Sequence, residues 1–234
     1  MKKIFVLSML SCLLMTNIAL SQKITGYKIQ VTIPQLADTN VYLGYYYGKW
    51  QYIKDTIKLD KTGKGIFQSK DTVGSGMYLL ITPSKKYLEF ILNDNERIFS
   101  IETDTTDLLG KAKVKGSLEN ELFFKFNNEI TKPSKEIYSL QQKVKEFKQK
   151  NLSDSVEFYN SQIKLLIDSI NNMKIKYMEQ YPTTLLARMF KATKEPEVPD
   201  QLPLNEDGSV DSSYKYYYFK DHYWDNINIA DEAL

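Results

Sequence analysis

The side chains that most often perform catalysis are scarce in this sequence. It contains one histidine, His222, which stands between Asp221 and Tyr223. Because there is no second histidine, a zinc site with several histidines cannot form, and a serine–histidine triad elsewhere in the chain would lack its base. We therefore expect His222 to pack against, or to cap, the segment around it rather than to catalyse a reaction.

One loop has the composition of a cation ligand set. Residues 205–211 place the side-chain oxygens of Asn, Glu and Asp around Gly208. A calcium loop also needs a bidentate Glu near its twelfth position, where this chain has aromatic residues, so a plain turn is predicted. No glycine-rich phosphate loop occurs, and no pair of carboxylates is singled out as acid and base. We predict no catalytic, cofactor-binding or metal-binding residue, and no cofactor.

The single cysteine, Cys12, falls in a segment with the features of an export signal. Residues 1–21 combine two lysines, an apolar run and small residues before Gln22. This order is typical of a secretory signal peptide cleaved after Ser21, and the run is short for a membrane span. Lipid modification of Cys12 is the weaker alternative. In both cases no free thiol remains, so we expect no thiol–disulfide chemistry by this chain alone. Because the short apolar run belongs to the predicted signal peptide, we also expect no transmembrane span in the mature chain.

The charge balance argues against nucleic acid as a partner. The chain has 31 Lys and Arg residues against 29 Asp and Glu residues, and two of the lysines, Lys2 and Lys3, lie in the predicted signal peptide. The mature chain is therefore close to neutral. Binding to nucleic acid or to an anionic membrane usually depends on an excess of basic residues.

Residues 22–115 have the pattern of an antiparallel β domain. Apolar residues alternate through 27–33 and again through 41–47, as in strands with one buried face. The glycines in 60–65 supply the backbone conformations that a hairpin turn needs. About seven short strands, with no helical pattern between them, predict an antiparallel β-sandwich or a partly open barrel. No converging polar cluster marks a pocket, although a sheet edge could bind an extended peptide.

Residues 116–192 change to a helical pattern and complete an α+β chain. Ser117 is a good N-cap, and Glu119 falls in the first turn, where the helix dipole favours negative charge. Apolar residues then recur at steps of three and four through 137–147 and 156–177. Such a seam is typical of two helices packed at a shallow angle, and the short link between them predicts a long antiparallel hairpin.

Prolines mark the expected boundaries within and after the helices. Pro133 should break the first helix or open the next one, and Pro182 should start one more short helix. Residues 193–234 begin as a proline-containing linker and end in an aromatic tail from Tyr214. Because large apolar surfaces mark interfaces, we expect this tail to join a neighbouring domain, with stacking on sugars or bases as the alternative.

Four passages resemble the uncharacterised N-terminal region of exported TlpA-like thioredoxin-family proteins of Gram-negative bacteria. They are Phe99-Ser100-Ile101-Glu102-Thr103-Asp104, Val114-Lys115-Gly116-Ser117-Leu118-Glu119-Asn120, Tyr181-Pro182-Thr183-Thr184-Leu185-Leu186-Ala187, and residues 216–229. In that family a thioredoxin-like domain with a Cys-x-x-Cys motif follows such a tail. We expect that domain to be absent here, since the sequence ends at Leu234, and no catalytic residue carries over.

The resemblance implies a non-catalytic, periplasmic accessory module of a thioredoxin-like thiol–disulfide oxidoreductase. Its role would be to position or dimerise the redox domain, which is the implied partner in cis or in trans, and a homodimer is a further candidate. Two hypotheses of another class remain. The chain could be a stand-alone periplasmic binding module for a peptide or glycan, held by the β half, or a chaperone-like helical clamp.

Overall fold

The computed structural model describes residues 26–200, 202–204, 208–211, 213–231 and 233. The predicted signal peptide with Cys12, and residues 205–207 of the candidate cation loop, lie outside the described residues. Within the described ranges, no helix combines the length and the apolar character that a membrane crossing requires.

Strands come first in the chain and form two four-stranded sheets. They are β1 (Tyr27–Thr32), β2 (Asn40–Tyr47), β3 (Trp50–Lys58), β4 (Lys64–Ser69), β5 (Gly76–Ile81), β6 (Tyr87–Leu92), β7 (Ile98–Glu102) and β8 (Lys113–Lys115). The first sheet has the order β4-β1-β7-β8, and the second sheet has the order β3-β2-β5-β6. The two sheets do not close into a barrel.

The pairing is antiparallel except between β1 and β7, which run parallel from Lys28–Ile98 to Thr32–Glu102. The prediction of a wholly antiparallel domain is wrong at this pair. A parallel pair needs a long crossover connection, which is usually a helix, and no helical pattern is present between these strands in the sequence. Here the connection consists of strands instead, because the chain between β1 and β7 contains all four strands of the second sheet as well as β4 of the first sheet.

The buried faces of the two sheets share one apolar core. Along β1, Tyr27, Ile29 and Val31 are buried, which confirms the alternation predicted there. Between the sheets, the rings of Phe90 and Phe99 meet edge to face, with their centroids 5.9 Å apart. This geometry is a favoured one for two buried aromatic side chains.

Four helices follow the strands within the described residues. They are α1 (Leu118–Gln149), α2 (Ser153–Gln180), α3 (Leu185–Ala192) and α4 (Tyr214–His222). Near the link between α1 and α2, Phe147 stacks on Tyr159 with their centroids 5.4 Å apart. Far from the link, Phe126 meets Tyr177 at 5.6 Å. The strands-then-helices organisation predicted from the sequence is therefore present.

Pro133 lies inside α1, which continues through it without interruption. The predicted helix break is therefore wrong. Proline removes one backbone donor and crowds the carbonyl one turn earlier, which disfavours a helix interior. Here both flanking parts of the helix are fixed by packing, because Phe123 and Phe126 are buried before the proline and Val144 is buried after it. Tertiary packing therefore overrides the local preference.

Candidate functional site

The passage that joins the strands to the helices begins with a turn that only glycine adopts easily. Gly116 has a φ of +87°, and Ser117 after it is the N-cap of α1. The Ser117 hydroxyl accepts a hydrogen bond from the backbone N–H of Asn120, which confirms the predicted cap. The turn and the cap together fix where α1 starts.

Asn120 replaces a missing strand partner at the edge of the second sheet. Its side chain is fully buried beside β6, which is an edge strand. The Ile91 N–H donates to Oδ1 of Asn120 at 2.7 Å, and Nδ2 of Asn120 donates to the Ile91 carbonyl oxygen at 2.7 Å. The amide thus satisfies both backbone groups of an edge residue, as a neighbouring strand would.

Glu119 binds the start of a different helix from its own. Its buried carboxylate accepts hydrogen bonds from the backbone N–H groups of Leu185 at 2.9 Å and Leu186 at 2.7 Å, the first two residues of α3. It also accepts one from Nδ2 of Asn93 at 2.9 Å. A carboxylate is favoured at a helix N-terminus, where the backbone N–H groups have no partner within the helix. From the sequence, this charge is predicted to interact with the dipole of α1 alone.

Glu96 completes the cluster, which we call the polar junction: Asn93, Glu96, Ser117, Glu119 and Asn120. Its Oε2 accepts from the Ser117 hydroxyl at 2.6 Å and from the Glu119 N–H at 3.0 Å. Because these polar groups are committed to one another and to the backbone, the junction holds elements in place and is not arranged to bind a ligand.

A cleft of about 810 Å³ opens elsewhere, at one end of the second sheet. We call it the tyrosine cleft. Its walls are the end of β2, one residue of β3, the loop before β5, the start of β5, the end of α3, and two residues after α4. Its lining is Tyr45, Tyr46, Tyr47, Gly48, Lys54, Thr72, Val73, Gly74, Ser75, Gly76, Met77, Tyr78, Met189, Ala192, Thr193, Ile227 and Ala233. Both its volume and its mostly apolar lining are usual for a small-ligand site.

The cleft lies where two neighbouring strands part. The pairing of β2 with β5 ends at Tyr45 and Tyr78. However, β2 continues to Tyr47 in its pairing with β3, and β5 starts at Gly76 in its pairing with β6. Gly76 has a φ of +146°, which favours glycine at this point. The sequence predicts no pocket here, because the end of a strand pairing is not visible in a single sequence.

Two tyrosine hydroxyls of the cleft, those of Tyr46 and Tyr78, donate hydrogen bonds within the molecule. The Tyr46 hydroxyl donates to Oε1 of Glu89 at 2.5 Å, and desolvation together with this bond raises the pKa of Tyr46 to about 12. The Tyr78 hydroxyl donates to the Gly74 carbonyl oxygen at 2.9 Å, and burial raises the pKa of Tyr78 as well. At neutral pH neither hydroxyl can act as a general base.

Lys54 supplies the one charge in the described lining of the cleft. In the pairing of β2 with β3, Leu43 lies opposite Asp55 and Gly44 lies opposite Ile53, so Lys54 is an extra residue in a β-bulge. A bulge changes the direction of the side chain that it carries, and bulges occur often next to functional sites. The bulge therefore explains how a residue of β3 reaches a cleft between β2 and β5.

His222 is the last residue of α4 and makes its contacts within its own segment. Its Nδ1 lies 2.6 Å from Oδ2 of Asp225, and its ring centroid lies 4.2 Å from that of Tyr218. These contacts fit the predicted packing role. In the candidate cation loop, Asp211 accepts from the Ser213 N–H and hydroxyl, which lower the pKa of Asp211. Within the described ranges, no group of three or more His, Cys, Asp and Glu side chains could hold a metal ion.

The aromatic segment, residues 214–229, presents rings to solvent. Tyr216 is 67% exposed, Tyr217 is 55% exposed and Trp224 is 58% exposed. The segment and the residues after it are anchored at few points. Nδ2 of Asn226 donates to the Lys194 carbonyl oxygen at 3.1 Å, and Arg188 of α3 forms an ion pair with Asp231. Part of the predicted aromatic tail is thus a short helix with exposed rings.

Comparison with known proteins identifies one part of the chain. Residues 27–123 match the family model Domain of unknown function (DUF4369). The DUF4369 match covers both sheets and the start of α1, and so it includes the polar junction and the strand walls of the tyrosine cleft. No curated protein and no solved structure matches the chain. Nothing in the DUF4369 match refers to TlpA-like proteins, so that resemblance stays a prediction.

Proposed function

We propose that the chain is a non-catalytic periplasmic accessory module that docks and positions a thioredoxin-like redox domain. The observation that supports it best is the exposed aromatic segment. Clustered Tyr and Trp side chains are typical of the centres of protein interfaces, because they bury a large area at a small entropic cost. Three rings of this segment are more than half exposed on or just after a single short helix.

In this proposal the rest of the molecule is a rigid support. The two sheets serve as a β-sandwich, and α1 with α2 serves as an antiparallel hairpin. The polar junction connects them to α3. Just beyond the end of α3, the Lys194 carbonyl oxygen accepts a hydrogen bond from Asn226 of the aromatic segment, and Arg188 of α3 pairs with Asp231, which follows that segment. The single cysteine falls in the predicted signal peptide, so the reactive thiols would come from the partner, in cis or in trans. The resemblance to TlpA-like proteins supplies the identity of that partner.

Site-specific photo-crosslinking in the periplasm tests this proposal. A photoreactive amino acid at Trp224 should crosslink to a protein with a Cys-x-x-Cys motif, identified by mass spectrometry of the joined peptides. The matched control carries the same group at Tyr138, an aromatic residue of α1 that is 65% exposed. Equal crosslinking from both positions, or crosslinks to proteins without that motif, would contradict the proposal. The purified chain alone should not reduce insulin disulfides.

A second candidate function is supported by the tyrosine cleft. We propose, as the alternative, a stand-alone periplasmic binding module for a peptide or glycan. Aromatic side chains provide faces on which sugars stack and apolar walls that peptide side chains contact. Arrays of glycans and of peptides test it, since saturable binding to either class is expected. An absence of binding on both arrays would remove this candidate and leave the docking proposal untouched.

A further inference from the structure

The backbone at the tyrosine cleft suits one of the two ligand classes better than the other. Tyr46 and Tyr47 of β2 face Met77 and Gly76 of β5 without a ladder between them. An extended peptide carries N–H and C=O groups at the spacing of a strand, so it can pair with such edges. A sugar ring has no such repeat. The unpaired stretch is only two residues long on each strand, so it fits the end of a peptide better than a long strand.

Side chains at the cleft come from both faces of the second sheet. Tyr45 and Tyr78 lie opposite each other, so their side chains share one face of the sheet. Tyr46 follows Tyr45 and Met77 precedes Tyr78, so the side chains of Tyr46 and Met77 point to the other face. The side chains of an extended peptide also alternate between two faces. A peptide lying between β2 and β5 would therefore meet apolar or aromatic groups on both of its sides.

The charge in the cleft indicates which end of a peptide it would accept. Lys54 is exposed and has no acidic partner within the described residues, and it is the one charged group in the described lining. The main chain of an internal peptide segment is neutral, whereas a C-terminus carries a carboxylate. Complementary charge selects the partner and its orientation, so an ammonium group at this place favours a free C-terminus.

We propose that the tyrosine cleft binds the C-terminal end of an extended peptide, with its main chain between β2 and β5 and its carboxylate on Lys54. This inference rests on the second proposed function, the binding module. It adds the ligand class, the orientation of the ligand, and the residue, Lys54, that distinguishes the C-terminus of a peptide from an internal segment. It predicts apolar side chains at the last two positions of the bound peptide.

The first experiment compares three arrays probed with the mature chain. One carries randomised hexapeptides with free C-termini, one carries the same peptides as C-terminal amides, and one carries glycans. Saturable binding to the free acids is expected, with amides bound about twofold to fivefold more weakly, which is the scale of one ion pair near a surface. Equal binding to acids and amides would overturn the proposal. Binding to glycans alone would overturn it and leave the binding module, while no binding on any array would overturn both.

The second experiment changes the proposed carboxylate partner. Lys54→Met removes the charge and keeps the aliphatic length, and it should abolish the preference for free acids over amides in a fluorescence anisotropy titration of the best hexapeptide pair. Lys58→Met is the matched control, because Lys58 is an exposed lysine of the same strand, pairs with Asn40 and lies outside the cleft lining. Lys58→Met should keep the full preference. A preference that survives Lys54→Met would overturn the assignment of Lys54.

Discussion

The polar junction and the tyrosine cleft are two solutions to one problem, the place where a sheet stops pairing. At β6 the unpaired backbone of Ile91 is satisfied by the buried amide of Asn120. At the tyrosine cleft, the hydrogen-bonded pairing of β2 with β5 ends at Tyr45 and Tyr78, and the cleft beyond this pair is open to solvent. The first region satisfies its edge backbone groups within the molecule, whereas in the second the strand pairing ends at a cleft.

This difference separates stability from binding in energetic terms. A buried polar group that loses its partner costs about 1–3 kcal/mol, because water cannot replace the lost bond. At an open cleft, water satisfies the same groups until a ligand displaces it. Substitutions in the polar junction should therefore lower the free energy of unfolding, whereas substitutions of solvent-exposed residues of the cleft should lower affinity and leave unfolding nearly unchanged.

The largest effect on stability is expected for Asn120→Ala. This change leaves the N–H and C=O of Ile91 buried and unpaired, so the free energy of unfolding should fall by about 3 kcal/mol in urea titrations. Asn127→Ala is the control, because the Asn127 side chain is half-buried and donates only to the Phe123 carbonyl oxygen within α1. That variant should lose about 0.5 kcal/mol. Similar losses in both variants would show that Asn120 is not a special partner of the sheet.

For Glu119→Gln we expect a smaller decrease in the free energy of unfolding, about 2 kcal/mol. Glutamine keeps the shape of the side chain, but it turns one acceptor oxygen into a donor that faces the N–H groups of Leu185 and Leu186 or the amide of Asn93. Loss of the charge also weakens its interaction with the start of α3. Glu121→Gln, an exposed change in the same turn, should alter unfolding by less than about 0.5 kcal/mol. Equal effects would mean that the buried carboxylate does not hold α3.

Tyr46 allows a comparison between the folded and unfolded chain at alkaline pH. Its pKa is about 12 in the folded state against an ordinary value of 10.0. Since the folded-state pKa is raised, the stability that protonated Tyr46 contributes is complete below pH 10 and is lost as the pH rises through about 12. In an absorbance titration of tyrosinate, wild type minus Tyr46→Phe should show one ionisation near pH 12 in the native state. In urea, where the chain is unfolded, the ionisation in the same difference titration should move to about pH 10.

What the sequence could predict depended on how local the determinant is. The strand alternation in residues 27–33 and the N-cap at Ser117 were predicted correctly, because both depend on neighbouring residues only. The partners of Glu119 lie 66 and 67 residues away, and the partner of Asn120 lies 29 residues away. No local pattern distinguishes such residues from ordinary polar residues in a first helical turn.

The same reasoning explains why the cleft was missed. The sequence predicts strands for its tyrosines, and the structure has them there. The cleft arises because the pairing of β2 with β5 ends at Tyr45 while β2 continues to Tyr47. The position of Lys54 depends on a bulge, which is a property of the register between two strands. A signal was present in the run Tyr45-Tyr46-Tyr47, because three successive aromatic residues cannot all share one buried face.

The smallest effect on stability, and the sharpest test of the comparison, is expected for Tyr47→Ser. Tyr47 is 73% exposed, and its ring meets Tyr52 edge-on with a centroid distance of 6.4 Å. Its removal should change the free energy of unfolding by less than about 0.5 kcal/mol while lowering affinity for free-acid peptides severalfold. Tyr78→Phe is a useful contrast, because it deletes a buried hydroxyl bonded to the Gly74 carbonyl oxygen and should cost about 1 kcal/mol. If Tyr47→Ser destabilised the chain as much as Asn120→Ala, the cleft would belong to the scaffold, and the division between a closed junction and an open binding site would fail.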